Sequence, residues 1–569
     1  MDGRFMGKSS GRALRLLLPC LRASAGKIAI GLLCAGLVSA VRLSIPWTIK
    51  LAIDDVFPSK NTLLLAILLG SLLLAFVLRN LFIVLGRRTM LIAGEKTALM
   101  VRRLLFSHLQ SLSVGYHKSH KTGESLSRIT GDVCSLESFV EVGVPKTANT
   151  LIMLLGVLAI IFWTNPVLAA ICIAVLPMHI MLYLAFKQRI KSGNRGMREN
   201  ESGLSSGLVE TLLGAEAMTA SAAEEHERER FFDRATSLQK ARVKLGSMQL
   251  WQKVMADVAV GFGTVAVFYY GGRQIMTGRM TIGEFTAFLG YLGMLYPLSL
   301  TLMTQMGHTL GAISSAERVM ELLETEPDVK EKPGAVPLPS VNGSITFESV
   351  SFSYGEASSG IRGLNLDVAP GDVVAVTGAV GTGKSTLAYL LARFYDVRQG
   401  RIYLDGVPLD ELPLRQLRNE TGIAFQEPFL FSGTIADNIR YSKPDANDAE
   451  VAAAAEAVGL DPLIEALPNG LDTLIGGSGI QLSLGQKHRI DIARALIKDP
   501  RILVLDSVFT EGDDEHRWEE ERVFRRISEG RTTFVINPPS FIAEQANKVI
   551  RLHRSGAVDV ETRQPEYAQ

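Results

Sequence analysis

Gly378-Ala379-Val380-Gly381-Thr382-Gly383-Lys384-Ser385-Thr386 decides how the rest of the chain is read. The stretch fills every fixed position of the pattern G-x-x-x-x-G-K-[ST]. Its glycines let consecutive backbone N–H groups turn toward phosphate oxygens that a Cβ would block. Lys384 then faces the β- and γ-phosphates, and the Ser385 hydroxyl is placed to complete a Mg²⁺ shell. The flanks agree with this reading. Val373-Val374-Ala375-Val376 predicts a buried strand, and Leu387 to Leu391 predicts a helix whose N-terminus faces the anion. A glycine-rich turn matching by chance would have no reason to sit between the two.

Outward from this loop, strand-like alternation opens at Ile345-Thr346-Phe347 and Val350 to Tyr354, and strands alternate with helices to about Leu552. That is an α/β pattern. Upstream, residues 325–339 hold four prolines among many charges, which predicts a linker running to Gly343.

The first half of the chain has a different composition. Of the 569 residues 47% are hydrophobic, and the apolar ones concentrate in the first 320. Residues 28–41, 61–78 and 147–186 carry no charge, and 258–272 and 285–316 are strongly apolar. A bilayer takes roughly 20 residues to cross. The forty residues of 147–186 therefore make two spans, with Asn165-Pro166 as the turn between them. The total is six. The connections near 54–61, 164–166 and 273–282 are short. Those at 86–140 and 187–250 are long, poor in helix breakers and rich in Lys and Arg, so they read as helical extensions on the cytoplasmic side. Arg42, Lys50 and Arg79 fall at or near membrane depth, where a charge pairs internally, snorkels or faces a wet cavity.

Residues 10–26 alternate Arg and Leu and read as a helix on the membrane surface. Ala23-Ser24-Ala25 also resembles a signal-peptide cleavage site, but Arg15 interrupts a core too short for one. Lys+Arg of 59 against Asp+Glu of 58 points to no nucleic-acid partner. Cys20, Cys34, Cys134 and Cys172 form no C-x-x-C pair, so free thiols are expected. His117 and His120 flank Lys118-Ser119 without further ligands at metal spacing.

Six spans, long cytoplasmic helical loops and a C-terminal phosphate-binding domain resemble an ATP-binding cassette exporter half-transporter over nearly the whole chain. The resemblance implies two domain types, an all-α six-helix transmembrane domain and an α/β P-loop nucleotide-binding domain. It implies a surface helix over 1–26, a transmembrane domain over 27–324, a linker over 325–343 and a nucleotide-binding domain over 344–569. ATP and Mg²⁺ are the implied cofactors. Tyr354 matches the family's adenine-stacking aromatic. Gly378, Gly381, Thr382, Gly383, Lys384, Ser385 and Thr386 form the phosphate loop. Gln426 matches the Q-loop residue that touches Mg²⁺ and the coupling helices. Leu482-Ser483-Leu484-Gly485-Gln486 resembles the signature Leu-Ser-Gly-Gly-Gln, with Ser483, Gly485 and Gln486 kept. Ile502 to Asp506 looks like the Walker B strand, so Ser385, Gln426 and Asp506 are the implied Mg²⁺ contacts. Thr122 to Arg128 follows the first coupling helix in the family pattern, and Leu208 through Phe231 resembles the second intracellular loop.

The departures concern hydrolysis. The family's water-polarising Glu follows the Walker B Asp, and here that position is Ser507. A serine hydroxyl is no general base near pH 7, and such a base is worth ~10²–10⁴ in rate. Pro538 stands where the switch His belongs and has no donor to offer. Ile475 to Gly479 also lacks the family's Glu-Arg pair. Glu511, five residues past Asp506 in the D-loop position, is poorly placed to substitute. No catalytic residue is assigned on this chain. The pattern implies export of a lipid, drug or peptide-like substrate by a heterodimer with a second half-transporter. The alternatives are a slow homodimer and a membrane-bound ATP-sensing regulator. The resemblance places the protein in a bacterial inner membrane with its nucleotide-binding domain in the cytoplasm.

Overall fold

The computed structural model describes residue 19 and residues 22–120, 122–354, 360–476, 479–509 and 514–563. Most of the predicted surface helix, as well as Glu511, lies outside them. The chain divides into two compact units. One is Met1–Ser107 with Ser125–Glu324. The other is His108–Glu124 with Thr325–Gln569.

The first unit is all helix. Among the described residues, six helices are long and apolar enough to cross a bilayer: Ala25–Ser59, Thr62–Ser111, Thr122–Thr164, Pro166–Leu213, Glu224–Met276 and Ile282–Leu323. They run 35 to 53 residues, well beyond the ~20 that span hydrocarbon, so the predicted helical extensions are continuous with the spans. The third and fourth spans form the predicted hairpin. Asn165 takes an extended backbone, and its Oδ1 accepts from the amides of Val167 and Leu168, both at 3.1 Å. Pro166 opens the next helix at a position that needs no N–H.

One predicted boundary moves. The connection expected near 54–61 is still helical to Ser59, through a π turn over Ala52–Val56, and the chain reverses at Lys60 with φ 50°. The wider turn carries Asp54 to the start of the sixth span. There Asp54 accepts from the Gly283 amide at 2.9 Å and the Thr281 hydroxyl at 2.6 Å. Lys50 pairs with Glu284 at 3.1 Å, so this charge is held by a partner. Arg79 lies 5.9 Å from the centre of the Phe76 ring. The apolar core gathers Phe288, Tyr291 and Leu295 of the sixth span with Val157, Ile161, Leu168, Cys172 and Val267 of the third, fourth and fifth. The second span stays outside that core. Leu63, Leu73 and Val84 on it are about two-thirds exposed, a face suited to lipid.

The second unit holds two larger sheets. The strands are β1 (Ile345–Phe352), β2 (Ile361–Val368), β3 (Val373–Gly378), β4 (Gln399–Leu404), β5 (Val407–Pro408), β6 (Thr421–Ala424), β7 (Gly433–Thr434), β8 (Leu474–Ile475), β9 (Ile502–Asp506), β10 (Thr532–Ile536), β11 (Lys548–Leu552) and β12 (Val558–Thr562). The antiparallel sheet has the order β2-β1-β4-β5. The main sheet runs β12-β11-β3-β10-β9-β6 and is parallel except at β12. The two stretches predicted at 345–347 and 350–354 form one strand. Its register shifts between Phe347 and Val350, where Ser349 has φ 48°, and Tyr354 lies past its end. One apolar core packs the P-loop helix, Lys384–Leu391, between the two sheets. A second lies under the helices Ile435–Arg440 and Leu484–Leu496.

Candidate functional site

The parallel strands set the site by ending together. Ile536 of β10 is in register with Val376 of β3 and Asp506 of β9, so three loops leave one edge at one level. Ligands of open α/β sheets bind outside such carboxyl ends. The loop after β3 is 378–383. Gly378 has φ 149°, and a Cβ there would lie 2.5 Å from the Leu552 carbonyl oxygen, so only glycine fits. Gly383 has φ 97° and caps the helix that Lys384 opens.

The predicted side chains converge here. The Lys384 ammonium is buried and donates to the carbonyls of Gly378 and Ala379, both at 2.8 Å. Burial pulls its pKa below the usual lysine value, and Asp506 opposes that shift. Thr382 donates to the Ala379 carbonyl at 2.9 Å and stiffens the loop. Asp506 is buried and hydrogen-bonded to Ser385. Burial pushes its carboxyl up, while Ser385, Ser507, Lys384 and Lys118 pull it back. An acid of this kind, beside a hydroxyl and an ammonium, is a hard-oxygen set suited to a divalent cation and phosphate. Thr386 Oγ1 lies 3.2 Å from the Tyr354 hydroxyl and ties the aromatic to the loop. The Tyr354 ring meets Phe352 and Tyr395 edge-on at 5.1 and 5.2 Å and is half exposed.

Ser507 and Asn537 occupy the same edge, and both have left-handed φ, 56° and 50°. Ser507 Oγ donates to Asp506 Oδ1 at 3.3 Å and accepts from Asn537 Nδ2 at 3.0 Å. Its one proton is committed to Asp506, and among the described residues no carboxylate other than Asp506 is bonded to it. Pro538 follows Asn537. Sequence reasoning passed over Asn537, whose signal was local: a side-chain donor directly after the last residue of β10.

Gln426 follows β6, and Nε2 of His488 donates to its carbonyl oxygen at 3.0 Å. His488 lies on the helix Leu484–Leu496, which Ser483 and Gln486 start with a reciprocal cap. The Gln486 amide donates to Ser483 Oγ at 3.2 Å, and the Ser483 amide donates to Gln486 Oε1 at 2.8 Å. Gly485 meets nothing that a Cβ would strike.

The same helix supplies a latch that the sequence reading missed. Buried Asp491 accepts from the Phe425 amide at 2.9 Å and pairs with Arg494 at 3.1 Å. Arg494 donates onward to the carbonyls of Phe429 and Asn438, at 2.8 and 2.9 Å. Asn438 in turn exchanges two bonds with the backbone of Phe431. The stretch from Phe425 to Phe431 is thus pinned to the helix Leu484–Leu496.

A second element enters from far upstream. The helix Val114–Ser119 belongs to this unit. Ser113 donates to Asp328 at 2.7 Å, and the Lys118 ammonium sits 3.9 Å from the centre of the Tyr389 ring. Tyr389 lies 6.5 Å from Phe425, next to Gln426. Gly115 lies so close to Tyr395 that a Cβ would stand 2.9 Å from its ring. His117 donates to the Leu109 carbonyl at 3.0 Å, and His120 stacks on Tyr116 at 4.1 Å.

Comparison with known proteins follows this division. Residues 28–297 match the family described as ABC transporter transmembrane region, and residues 361–510 match the family described as ABC transporter. An ATP-dependent lipid A-core flippase of Syntrophus aciditrophicus is 31% identical over 557 residues, 98% of this chain and 92% of that protein. An uncharacterized ABC transporter ATP-binding protein of Bacillus subtilis is 32% identical over 92% of this chain and 86% of its own. A bacterial Atm1-family ABC exporter solved with ATP bound superposes with a TM-score of 0.80 at 26% identity, over 94% of each chain.

Proposed function

We propose that this chain, which belongs to the ABC transporter family as an exporter half-transporter, works in a dimer that hydrolyses ATP mainly at one of its two sites. The protein is an integral membrane ATPase of the exporter type, with its nucleotide-binding domain in the cytoplasm. Residues 27–324 serve as the membrane domain and 344–569 as the ATPase, joined by 325–343, with 1–26 on the membrane surface.

In this reading Tyr354 stacks on the adenine. The loop Gly378–Thr386 holds the phosphates, with Gly381, Gly383 and Lys384 nearest them. Ser385, Gln426 and Asp506 would hold Mg²⁺, which supplies charge neutralisation when bound. Ser483, Gly485 and Gln486 serve the site on the partner's phosphate loop. The observation that carries the asymmetry is the Ser507–Asn537 hydrogen bond directly after Asp506. It fills the place of a general base with a pair of neutral groups, beside a signature helix whose cap is intact.

A heterodimer fits this pattern better than a homodimer, because two such chains would hold two slow sites. The supporting test is turnover by the purified chain, alone and mixed with a half-transporter that keeps its Glu and His. Fast ATPase activity by the chain alone would sink the reading. Supported by the flippase relative, we take the cargo to be an amphipathic lipid-like molecule.

A further inference from the structure

The loop after β10 opens with Asn537, which is tied to both neighbouring strands. The Asn537 amide donates to the Val376 carbonyl of β3 at 2.9 Å, and the Ser507 amide donates to the Ile536 carbonyl at 3.0 Å. Pro538 and Pro539 follow, and Pro539 stands at the cap of the helix Ser540–Gln545. Each proline has a fixed φ and no N–H, which leaves the chain little freedom after Asn537. The residue therefore holds one place, between the phosphate loop after β3 and the turn after β9.

The Asn537 side chain is exposed. A carboxamide carries two N–H donors and an acceptor oxygen. One donor is spent on Ser507 Oγ at 3.0 Å. The second has no partner among the described residues. The two N–H bonds diverge in the plane of the amide, so the second leads away from Ser507. The strand order β3-β10-β9 puts Ser507 on one side of Asn537 and the phosphate loop on the other. A hydrogen-bonded line also runs from Asn537 through Ser507 and Asp506 to Ser385. Its far end is the pair that would hold Mg²⁺, and its near end is the free donor. The metal bridges β- and γ-oxygens of a nucleotide, so the γ-phosphate is the part of ATP that reaches toward this edge.

We infer that Asn537 is a specificity-determining residue that donates its second amide N–H to the γ-phosphate, so that this site tells ATP from ADP without a general base. The inference rests on the reading of 378–386 as the phosphate loop. Asparagine is also a residue that tolerates left-handed backbone, and Asn537 has φ 50°. Glycine meets that backbone demand equally well and offers no amide, so the two roles separate by substitution.

The test reads nucleotide affinity rather than turnover. The full-length chain in phosphatidylcholine nanodiscs is loaded with the fluorescent analogue mant-ADP, which is then displaced by AMP-PNP or by ADP, each with Mg²⁺. Asn537→Gly should weaken AMP-PNP at least tenfold, as loss of a hydrogen bond to a charged group does, and ADP less than twofold. Asn537→Asp keeps the shape but puts a negative charge where the donor was, and it should weaken AMP-PNP at least as much. Unchanged mant-ADP binding by both variants shows that the site is folded. An unchanged ratio of the two affinities in Asn537→Gly, whether both hold or both fall, would make Asn537 a backbone residue and overturn the inference. Wild-type AMP-PNP affinity in Asn537→Asp would overturn it too. Lys384→Ala tests the underlying reading separately and should lose both nucleotides. If it keeps both, the phosphate-loop reading fails whatever Asn537 does.

Discussion

Around β3 the nucleotide unit is built to grip, while the edge of β9 and β10 a few ångströms of strand away is built to hold still. The first region spends its sequence on demanding features: glycines at φ 149° and 97°, a buried ammonium, and a buried acid bonded to a hydroxyl. The second region fills its equally constrained positions with neutral groups, Ser507 and Asn537, which bond to each other. In the proposed reading binding and bond-breaking are separable within one sheet edge, and the described residues keep the costly parts of the first.

The comparison breaks most visibly at Lys384. Lys384→Ala removes the charge nearest the β- and γ-phosphates and should weaken ATP binding at least 100-fold, read by photo-crosslinking of labelled ATP. Labelling equal to wild type would refute the gripping half.

Next comes the contrast across the dimer. Ser483→Arg sets a bulky cation where the signature meets γ-phosphate, and it should cut ATPase of the reconstituted heterodimer about 100-fold. Loss of the helix cap contributes only about 1 kcal/mol of stability. Ser507→Ala should change turnover less than twofold, because no base is lost. Equal damage from both would end the asymmetry.

The converse sharpens it. Ser507→Glu/Pro538→His should raise turnover by this chain's own site at least tenfold, within the ~10²–10⁴ that a general base supplies. The left-handed φ at 507 is the same cost for Ser and Glu, so the backbone does not forbid the exchange. No gain would show that the loss lies elsewhere.

The smallest effect concerns transmission. Lys118→Gln removes a cation over the Tyr389 ring, worth about 0.5–2 kcal/mol. It should lower cargo-stimulated ATPase severalfold while leaving basal ATPase within twofold. Parallel loss of both would make Lys118 part of the ATP site instead.

The grip was legible in the sequence because each of its requirements is local. Nine consecutive residues specify the loop, and an uncharged run specifies a span without knowledge of any partner. The Asn165-Pro166 hairpin was legible for the same reason. The latch from Asp491 and Arg494 to Asn438 and Phe425 was not. Its partners lie 56 and 66 residues apart, and Asp, Arg and Asn are ordinary surface residues until a fold buries them. The short helix at 114–119 hid for another reason. Its meaning is a ring to stack on, and Tyr389 and Tyr395 lie more than 270 positions away in the chain. The π turn at Ala52–Val56 was unreadable too, since its cause is Asp54 meeting Thr281 and Gly283.

That same meeting has a mechanical consequence. Asp54 and Lys50 both hold the first turn of the sixth span, through Thr281 and Gly283 and through Glu284, and the Tyr291 hydroxyl donates to the Leu43 carbonyl at 2.7 Å. Gly290 lets Pro46 approach to where a Cβ would find it at 3.1 Å. The ties hold the two helices at two levels of the sixth span, its first turn and Tyr291, so sliding or splaying one helix against the other strains them together. The first and sixth spans are therefore fastened to each other over this end of the membrane domain.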